Sequence, residues 1–495
     1  MSAGGSVDDR LMYRRELFIG GAWEAPASGG HLGVVSPSTE EVVGSAPDAT
    51  TADADRAVAA ARAAFDSGPW PRMTPAERSA ALARVGDSLR KREAEIAGVT
   101  VDEMGIAISQ APAAQTAMTA ALFHYYADLI RSFEFERTVV DGARAGLVTS
   151  EPVGVVAVIV PWNAPVTLSC WKTAPALAAG CSVVIKPPPE APLSNFILAD
   201  AIEEAGLPAG VVSVLPAGRE VGEHLVTHPG TDKIAFTGST AAGKRIMSLC
   251  GEQVKRVSLE LGGKSAVIVL DDADLATVIP RLVHGAMHLS GQVCGAHTRV
   301  LVPRSRYADA VEAAAASAAH VQVGDPHDPA TLVGPLVAAR QRERVEGYIK
   351  LAVDAGARVA AGGGRPSSLP RGWYVEPTIL ADVDNSMRVA REEIFGPVLC
   401  LIPYDDEDDA ARIANDSPYG LSGGVWSGDP ARALRMARRL RTGSIAINGS
   451  YPPFPLVPFG GFKESGLGRE LGPEGLANFL EPRSIGLPAA LHPSV

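Results

Sequence analysis

The sequence is poor in the features that staple a fold, span a membrane or grip a polyanion. Its 495 residues include five cysteines, Cys170, Cys181, Cys250, Cys294 and Cys400, an odd number, widely spaced and without a Cys-x-x-Cys pair. That argues against a disulfide framework and a structural zinc site, so no metal is expected and a reducing compartment is. Positive charge is in deficit: Lys and Arg number 45 against 56 Asp and Glu, a formal net charge of −11, with no basic stripe. Nucleic acid and anionic membrane are therefore not expected partners. The most apolar run, Val153 to Trp162, falls well short of the roughly 20 residues that cross a bilayer. Met1 to Arg15 is polar and has no signal-peptide-like apolar centre, which predicts a cytoplasmic protein. Internal repeats and long low-complexity tracts are absent too.

Apolar residues are plentiful, 46% of the total, enough for a sizeable core. Short strands are predicted at Leu17–Ile19, 34–37 and 41–44. A helix follows, with Thr50 and Asp53 as a capping-box-like start, then a second helix capped by Thr74. Helical spacing continues over 93–103 and 113–130. The stretch 138–149 alternates and is partly polar, consistent with an extended arm or a surface hairpin. Four strand–helix units then succeed one another: strands at 155–160, 182–186, 211–215 and 233–236, each followed by a helix. Such alternation predicts a doubly wound parallel sheet. A second α/β region begins near Ser265, with strands near 299–302, 398–403 and 444–448, helices at 307–318 and 338–355, and a loop at 362–366.

Four short stretches carry chemistry. Gly291-Gln292-Val293-Cys294 places one thiol among small and polar residues. A free cysteine is often an inert core residue, but a thiolate is also a strong nucleophile. Glu260-Leu261-Gly262-Gly263 offers a carboxylate before a turn, a candidate general base. Pro161-Trp162-Asn163 ends a strand, and the Asn163 amide suits an oxyanion as well as a turn. Phe236-Thr237-Gly238-Ser239-Thr240 runs from strand through a small-residue turn into a helix, where backbone N–H groups can meet phosphate. It lacks the Gly-x-Gly-x-x-Gly spacing and is weak alone.

Taken with Glu393-Ile394-Phe395-Gly396-Pro397 and the run from Pro458-Phe459-Gly460-Gly461 to Glu470, these motifs resemble the aldehyde dehydrogenase superfamily, with weaker likeness from about Phe18 to Ile485. The resemblance implies an α/β fold: a Rossmann-type dinucleotide-binding domain (1–130 and 151–262), a catalytic α/β domain (263–464) and an oligomerisation arm (131–150 and 479–495). Residues 465–478 return to the cofactor side. It implies oxidation of an aldehyde to an acid with NAD, NADP being possible. Cys294 would attack the carbonyl, Asn163 and the Cys294 N–H would hold the oxyanion, and Glu260 would activate water to hydrolyse the thioester. Lys172 and Glu470 would relay protons. Lys186 would meet the adenosine ribose, Gly238 and Ser239 the pyrophosphate, and Gly218 and Gly222 would leave room beside adenine. Glu393 would bind the nicotinamide ribose, Phe395 would pack beside it, and Trp162 and Leu261 would complete the wall.

Where many NAD-dependent members carry Glu three residues after the ribose lysine, this chain has Pro189, with Glu190 following. By position, Ala164, Leu168, Trp171, His288, Val293, Phe454, Leu456 and Phe459 would line the aldehyde tunnel, an arginine-free and mostly apolar set that points to a hydrophobic or aromatic aldehyde. His297, after the cysteine, is unusual and has no assigned role. A homodimer or homotetramer is implied. Two alternatives stay open at this point: a CoA-acylating semialdehyde dehydrogenase, which usually lacks the base that Glu260 supplies, and a non-catalytic binding protein on the same fold.

Overall fold

The alternation of short apolar runs with helical periods resolves into two parallel sheets and a projecting antiparallel one. The structure is a computed structural model that describes residues 9–488 and 491. The outer ends of the predicted 1–130 and 479–495 segments thus lie outside the described residues.

The first sheet has the strand order Ala22–Glu24, Leu17–Ile19, Val212–Val214, Ser182–Lys186, Val155–Ile159, Lys233–Thr237, Arg256–Glu260 and Gly466–Leu467. Its five central strands are parallel. The chain starts at Val155–Ile159, steps outward through the next two strands, then returns to lay Lys233–Thr237 on the other flank. This reversal opens a crevice at the strands' carboxyl ends, the place where such sheets bind ligands. Both faces of the strands are covered, so their apolar runs are continuous. Val156 and Val158 face a layer containing Phe123 and Phe196, whereas Val155, Ala157 and Ile159 face Ala57, Leu225 and Leu249. Alternate residues point to opposite faces.

The second sheet runs Arg358–Ala361, Thr378–Ala381, Val398–Tyr404, His297–Pro303, Ser265–Val269, Ser422–Trp426 and Ser444–Ile447. Ser422–Trp426 is not marked as a strand by its Ser-Gly-Gly composition, because glycine is a poor strand former. Its place between two partners makes it one, and Gly424 leaves space that a Cβ would lose to His297 Cε1 at 3.0 Å.

The third sheet joins Glu136–Asp141, Arg144–Pro152 and Leu480–Leu487 in antiparallel register. Every residue of its outer strand, Glu136–Asp141, is exposed.

Capping boxes start the first two long helices, Thr51–Asp66 and Pro75–Lys91, through Thr50 with Asp53 and Thr74 with Glu77. The helix expected over 113–130 begins with a wider π turn at Pro112–Thr116, where the Thr116 hydroxyl bonds back to the Pro112 carbonyl, before Ala117–Ser132 continues as α-helix. Among the described residues no helix is long and apolar enough to cross a membrane.

Candidate active site

Cys294 lies in a loop that follows helix Leu275–Met287. Leu289 and Ser290 sit in the left-handed region at φ 50° and 56°, and Gly291 follows at 73°. That conformation costs side-chain-bearing residues about 1–2 kcal/mol each, so surrounding contacts must over-determine it. Gln110 Oε1 accepts the Leu289 N–H at 2.7 Å, Ser290 Oγ donates to the Gly334 carbonyl at 2.9 Å, and Gln292 Oε1 accepts the Val337 N–H at 3.1 Å. Gly291 admits no side chain, because a Cβ would collide with the Gly396 carbonyl. Sequence reasoning does not single out Gln110 or Ser290. Gln292 stands inside the cysteine motif, which is the one signal that could have found these anchors.

Asn163, on the turn between strand Val155–Ile159 and helix Pro165–Ala179, is buried, and its Nδ2 donates to the Gln292 carbonyl at 2.9 Å, two residues before Cys294. An amide nitrogen carries two protons, so one remains for a substrate oxygen. Gln115 Nε2 steadies this turn by donating to the Asn163 carbonyl at 3.1 Å.

Glu260 closes strand Arg256–Glu260 and is buried. Its Oε2 has no hydrogen-bond partner among the described residues. Burial, then the neighbouring Glu470, raises its pKa well above the usual carboxylate range, against the pull of Lys172 and Arg469. The Cys294 thiol is pushed up to about 12 by burial, then by Glu393 and Glu260. Burial thus favours the protonated form of both groups, and the Cys294 thiol rests protonated at neutral pH. Beside Glu260 a buried ion pair joins Lys172 to Glu470, and Lys172 Nζ also donates to Thr237 Oγ1 at 2.6 Å. The Glu470 backbone is bridged to Phe459 by two hydrogen bonds of 2.6 and 2.7 Å.

On one side, a groove of about 560 Å³ follows the carboxyl ends of the first sheet and is lined by Lys186, Arg219, Gly222, Gly238 and Ser239. Ser239 caps helix Thr240–Gln253, accepting the Ala242 N–H at 3.3 Å. The buried Lys186 donates to the Ala217 and Pro187 carbonyls at 2.7 and 3.0 Å, and burial lowers its pKa to about 8. Gly218 starts helix Arg219–Thr227 with open space where a Cβ would stand, and a Cβ on Gly222 would rest 3.5 Å from the Lys186 stem. Leu261 fills the space beside Gly243. This cradle, glycine-lined and with a helix N-terminus, fits a dinucleotide. Nearer Cys294, Glu393 accepts the Gly263 N–H at 3.1 Å, and burial raises its pKa to about 7. Gly262 must lack a side chain, since a Cβ would stand 2.5 Å from Glu393 Oε2. Trp162 meets Phe395 edge-on at 5.3 Å, and Phe395 holds φ 64°. Glu190 is not on the groove wall and is ion-paired with Arg340, but its charge still reaches Lys186.

On the other side, a cavity of about 1000 Å³ reaches Gly295 and Ala296 next to the thiol. His288, Val293, Phe454 and Phe459 are on its wall. Trp171 meets Phe459 at 5.2 Å but, like Ala164 and Leu168, is not itself a lining residue. Leu456 is not a lining residue of this cavity either. Its N–H bonds to the Pro453 carbonyl in a tight turn, and the residue is 59% exposed. The wall is not free of arginine either, because helix Leu275–Met287 contributes Arg281 and His284.

Away from this centre, Asp55, His224 and His228 place their ligand atoms within 4.8 Å of one another. The Gly230 N–H donates to His228 Nδ1 at 2.9 Å, which leaves the neutral ring's proton on Nε2, facing Asp55. The cluster is a hydrogen-bonded latch between two helices.

A dinucleotide groove and an aldehyde-sized apolar cavity meeting at a thiol and a buried carboxylate define a dinucleotide-dependent oxidoreductase with a cysteine at its centre. The chain belongs to the aldehyde dehydrogenase family, whose model matches residues 23–485. It is an NAD(P)-dependent oxidoreductase that takes an aldehyde to a carboxylic acid. It is 47% identical to geranial dehydrogenase of Castellaniella defragrans over 472 residues, 95% of this chain and 98% of that one. It superposes on a Mycobacterium tuberculosis aldehyde dehydrogenase solved with NAD+ at TM-score 0.95 and 44% identity, covering 97% of this chain and 99% of that one. A Pseudomonas syringae aldehyde dehydrogenase, solved as a cysteine-to-alanine mutant with NAD+ and octanal, matches at TM-score 0.93 and 41% identity, with coverage of 99% and 100%.

Proposed function

We propose that the substrate is a hydrophobic aldehyde that enters through the cavity beside Gly295 and is oxidised on Cys294. The carrying observation is the Asn163 amide held on the Gln292 carbonyl, two residues before Cys294, with two buried carboxylates, Glu260 and Glu393, near enough to raise the thiol's pKa. Cys294 loses its proton to solvent in the cavity, and the thiolate attacks the carbonyl carbon, the C=O π pair moving to oxygen to give a thiohemiacetal oxyanion. The free Nδ2 proton of Asn163 and the Cys294 N–H receive the oxyanion. Lys186, Gly238 and Ser239 in the groove would hold NAD(P)+, which would supply the hydride acceptor that takes the thiohemiacetal to a thioester. Glu260 then takes a proton from water as the water attacks the thioester, releasing acid and thiol. Its raised pKa means that it must first lose its own proton, and the Lys172–Glu470 pair beside it is the proposed outlet. Glu393, on the Gly263 N–H, would hold the nicotinamide ribose.

The cofactor reading extends to choice. Pro189 offers nothing to repel a 2′-phosphate, Glu190 is engaged by Arg340, and the exposed Arg219 on the groove wall adds a cation. NAD+ is the preferred cofactor, with NADP+ accepted. An apolar substrate accords with the wall formed by Val293, Phe454 and Phe459 and with the geranial and octanal named for two relatives. A panel of aldehydes followed by cofactor absorbance tests this. Preference for phosphorylated or dicarboxylic aldehydes over alkyl and aryl ones would overturn it.

The division into a dinucleotide-binding domain (1–130, 151–262), a catalytic domain (263–464) and an arm (131–150, 479–495), with 465–478 returning to the first sheet, is part of the same proposal. So is a cytoplasmic homodimer or homotetramer without a nucleic acid partner. The fully exposed strand Glu136–Asp141 supports it, because an open edge invites a strand from another copy. Light scattering on the full chain gives the assembly state, and a monomer at micromolar concentration would remove the arm's role.

A further inference from the structure

Five parallel strands of the second sheet begin with a polar residue, and three of those residues, His297, Ser422 and Ser444, are on the wall of the large cavity, whereas Ser265 and Thr378 are not. Ser422 and Ser444 are register partners, and Ser265–Val269 lies between the His297 and Ser422 strands. All three residues line the large cavity. The row begins close to the chemistry, since a Cβ on Gly295, the residue after Cys294, would stand 3.7 Å from Ser422 Cβ. Ser422 is engaged, its Oγ 3.3 Å from His297 Nε2. Ser444 is 8% exposed, and its Oγ has no hydrogen-bond partner among the described residues. A buried hydroxyl without a partner is costly; the Ser444 oxygen is closed off in the observed rotamer, and a turn about χ1 toward the cavity its residue lines would give it a ligand partner. Tyr451 stacks on His297 at 5.8 Å and 20°, so the row carries a flat aromatic flank.

We infer that Ser444, backed by Ser422 and His297, recognises a neutral hydroxyl at the far end of the aldehyde, making an ω-hydroxy aldehyde a better substrate than the plain alkanal. This rests on the reading of the cavity as the aldehyde's passage. Neutrality follows from the surroundings. Burial lowers the His297 pKa to about 4, so its ring adds no charge. The one arginine on the wall, Arg281, is exposed. A carboxylate beside Ser444 would lose its hydration without a buried cation to replace it. A hydroxyl can both donate to and accept from Ser444 Oγ. A methyl end would leave that serine as unpaired as before, and a site built to bond a hydroxyl discriminates against the analogue lacking it.

The test uses the full chain with saturating NAD+ and compares kcat/KM for 6-hydroxyhexanal with hexanal, 8-hydroxyoctanal with octanal, and 8-oxooctanoate as the charged control. At one chain length or both, the hydroxy aldehyde should be favoured by about tenfold, the worth of one well-made hydrogen bond. Ser444→Ala should bring that ratio to about one, and Ser444→Thr, which keeps the hydroxyl, should retain a preference. A wild-type ratio at or below one at both lengths, a ratio untouched in a folded Ser444→Ala protein, or a preference for 8-oxooctanoate would overturn the inference. Phe454→Ala separates this from the underlying reading. If it lowers kcat/KM for hexanal and octanal while Ser444→Ala leaves the ratio alone, the passage stands and the hydroxyl site falls. If Phe454→Ala changes neither alkanal, the passage itself is misplaced.

Discussion

The groove beside Lys186 is lined by what consecutive strands leave at their carboxyl ends: Lys186, Gly238, Ser239 and the first turns of two helices. The cavity beside Gly295 is lined instead by pieces far apart in the chain: Ala113, helix Leu275–Met287, three strand starts, and the loop 448–459. The groove's fit rests on glycines and a helix N-terminus, features that a local motif dictates. The cavity's fit rests on which side chains several remote segments turn inward, which no local motif dictates. Cys294 stands between the two, with Asn163 and Glu260 at its sides. The comparison teaches that cofactor choice and aldehyde choice are separable, whereas the chemistry belongs to both.

Perturbing the shared centre should have the largest effect. Cys294→Ala should abolish oxidation of every aldehyde while the groove keeps its affinity for NAD+, read by fluorescence titration, because the covalent route is gone and the groove is untouched. Turnover near wild type would remove Cys294 from the mechanism. Glu260→Gln keeps the shape and deletes the base. Thioester hydrolysis should slow by ~10²–10⁴-fold, giving a burst of reduced cofactor, a slow steady state, and acyl-enzyme visible by mass spectrometry. A missing burst would move Glu260 to thiol activation. Asn163→Ala should lower kcat by ~10²–10³-fold, the usual share of an oxyanion donor, with less change in KM. A change confined to KM would make Asn163 a positioning residue.

The next effect is graded. Burial favours the neutral forms of both Cys294, at about 12, and Glu260. The reactive form of Cys294 is the charged one, so kcat/KM should rise with pH between 6 and 9, by up to about tenfold per unit. A flat profile would mean that thiol deprotonation does not limit the rate. The smallest effect sharpens the comparison most. Pro189→Glu should reduce the NADP+/NAD+ ratio of kcat/KM by about threefold to tenfold, through like-charge repulsion of the 2′-phosphate. It should leave the ranking of aldehydes unchanged. A shifted ranking would show that groove and cavity are coupled and break the separation drawn above.

Much of the first sheet was legible because its strands are buried on both faces and its helices announce their starts. Ser182–Lys186 and Ser265–Val269 fall where the apolar runs predict, and Thr50 and Thr74 cap as their spacing requires. Ser422–Trp426 was not legible, since two glycines hide a strand that only its neighbours create. The exposure of Leu456 was not legible for a related reason. Nothing in the local sequence says which way a tight turn throws its side chain.

By itself, then, the sequence determined the frame and pointed to the groups proposed to react. A thiol, a carboxylate and an amide lie beside turns whose geometry depends on a few neighbouring residues, and glycine or a capping serine is chosen by local backbone chemistry. Only the tertiary structure decided the rest: the pKa values, which depend on who is buried beside whom, the three left-handed residues before Cys294, held by Gln110, Gly334 and Val337, and the row of His297, Ser422 and Ser444. Those three residues are far apart in the chain and become neighbours because parallel strands in one sheet share a register, a long-range pairing that local patterning cannot encode.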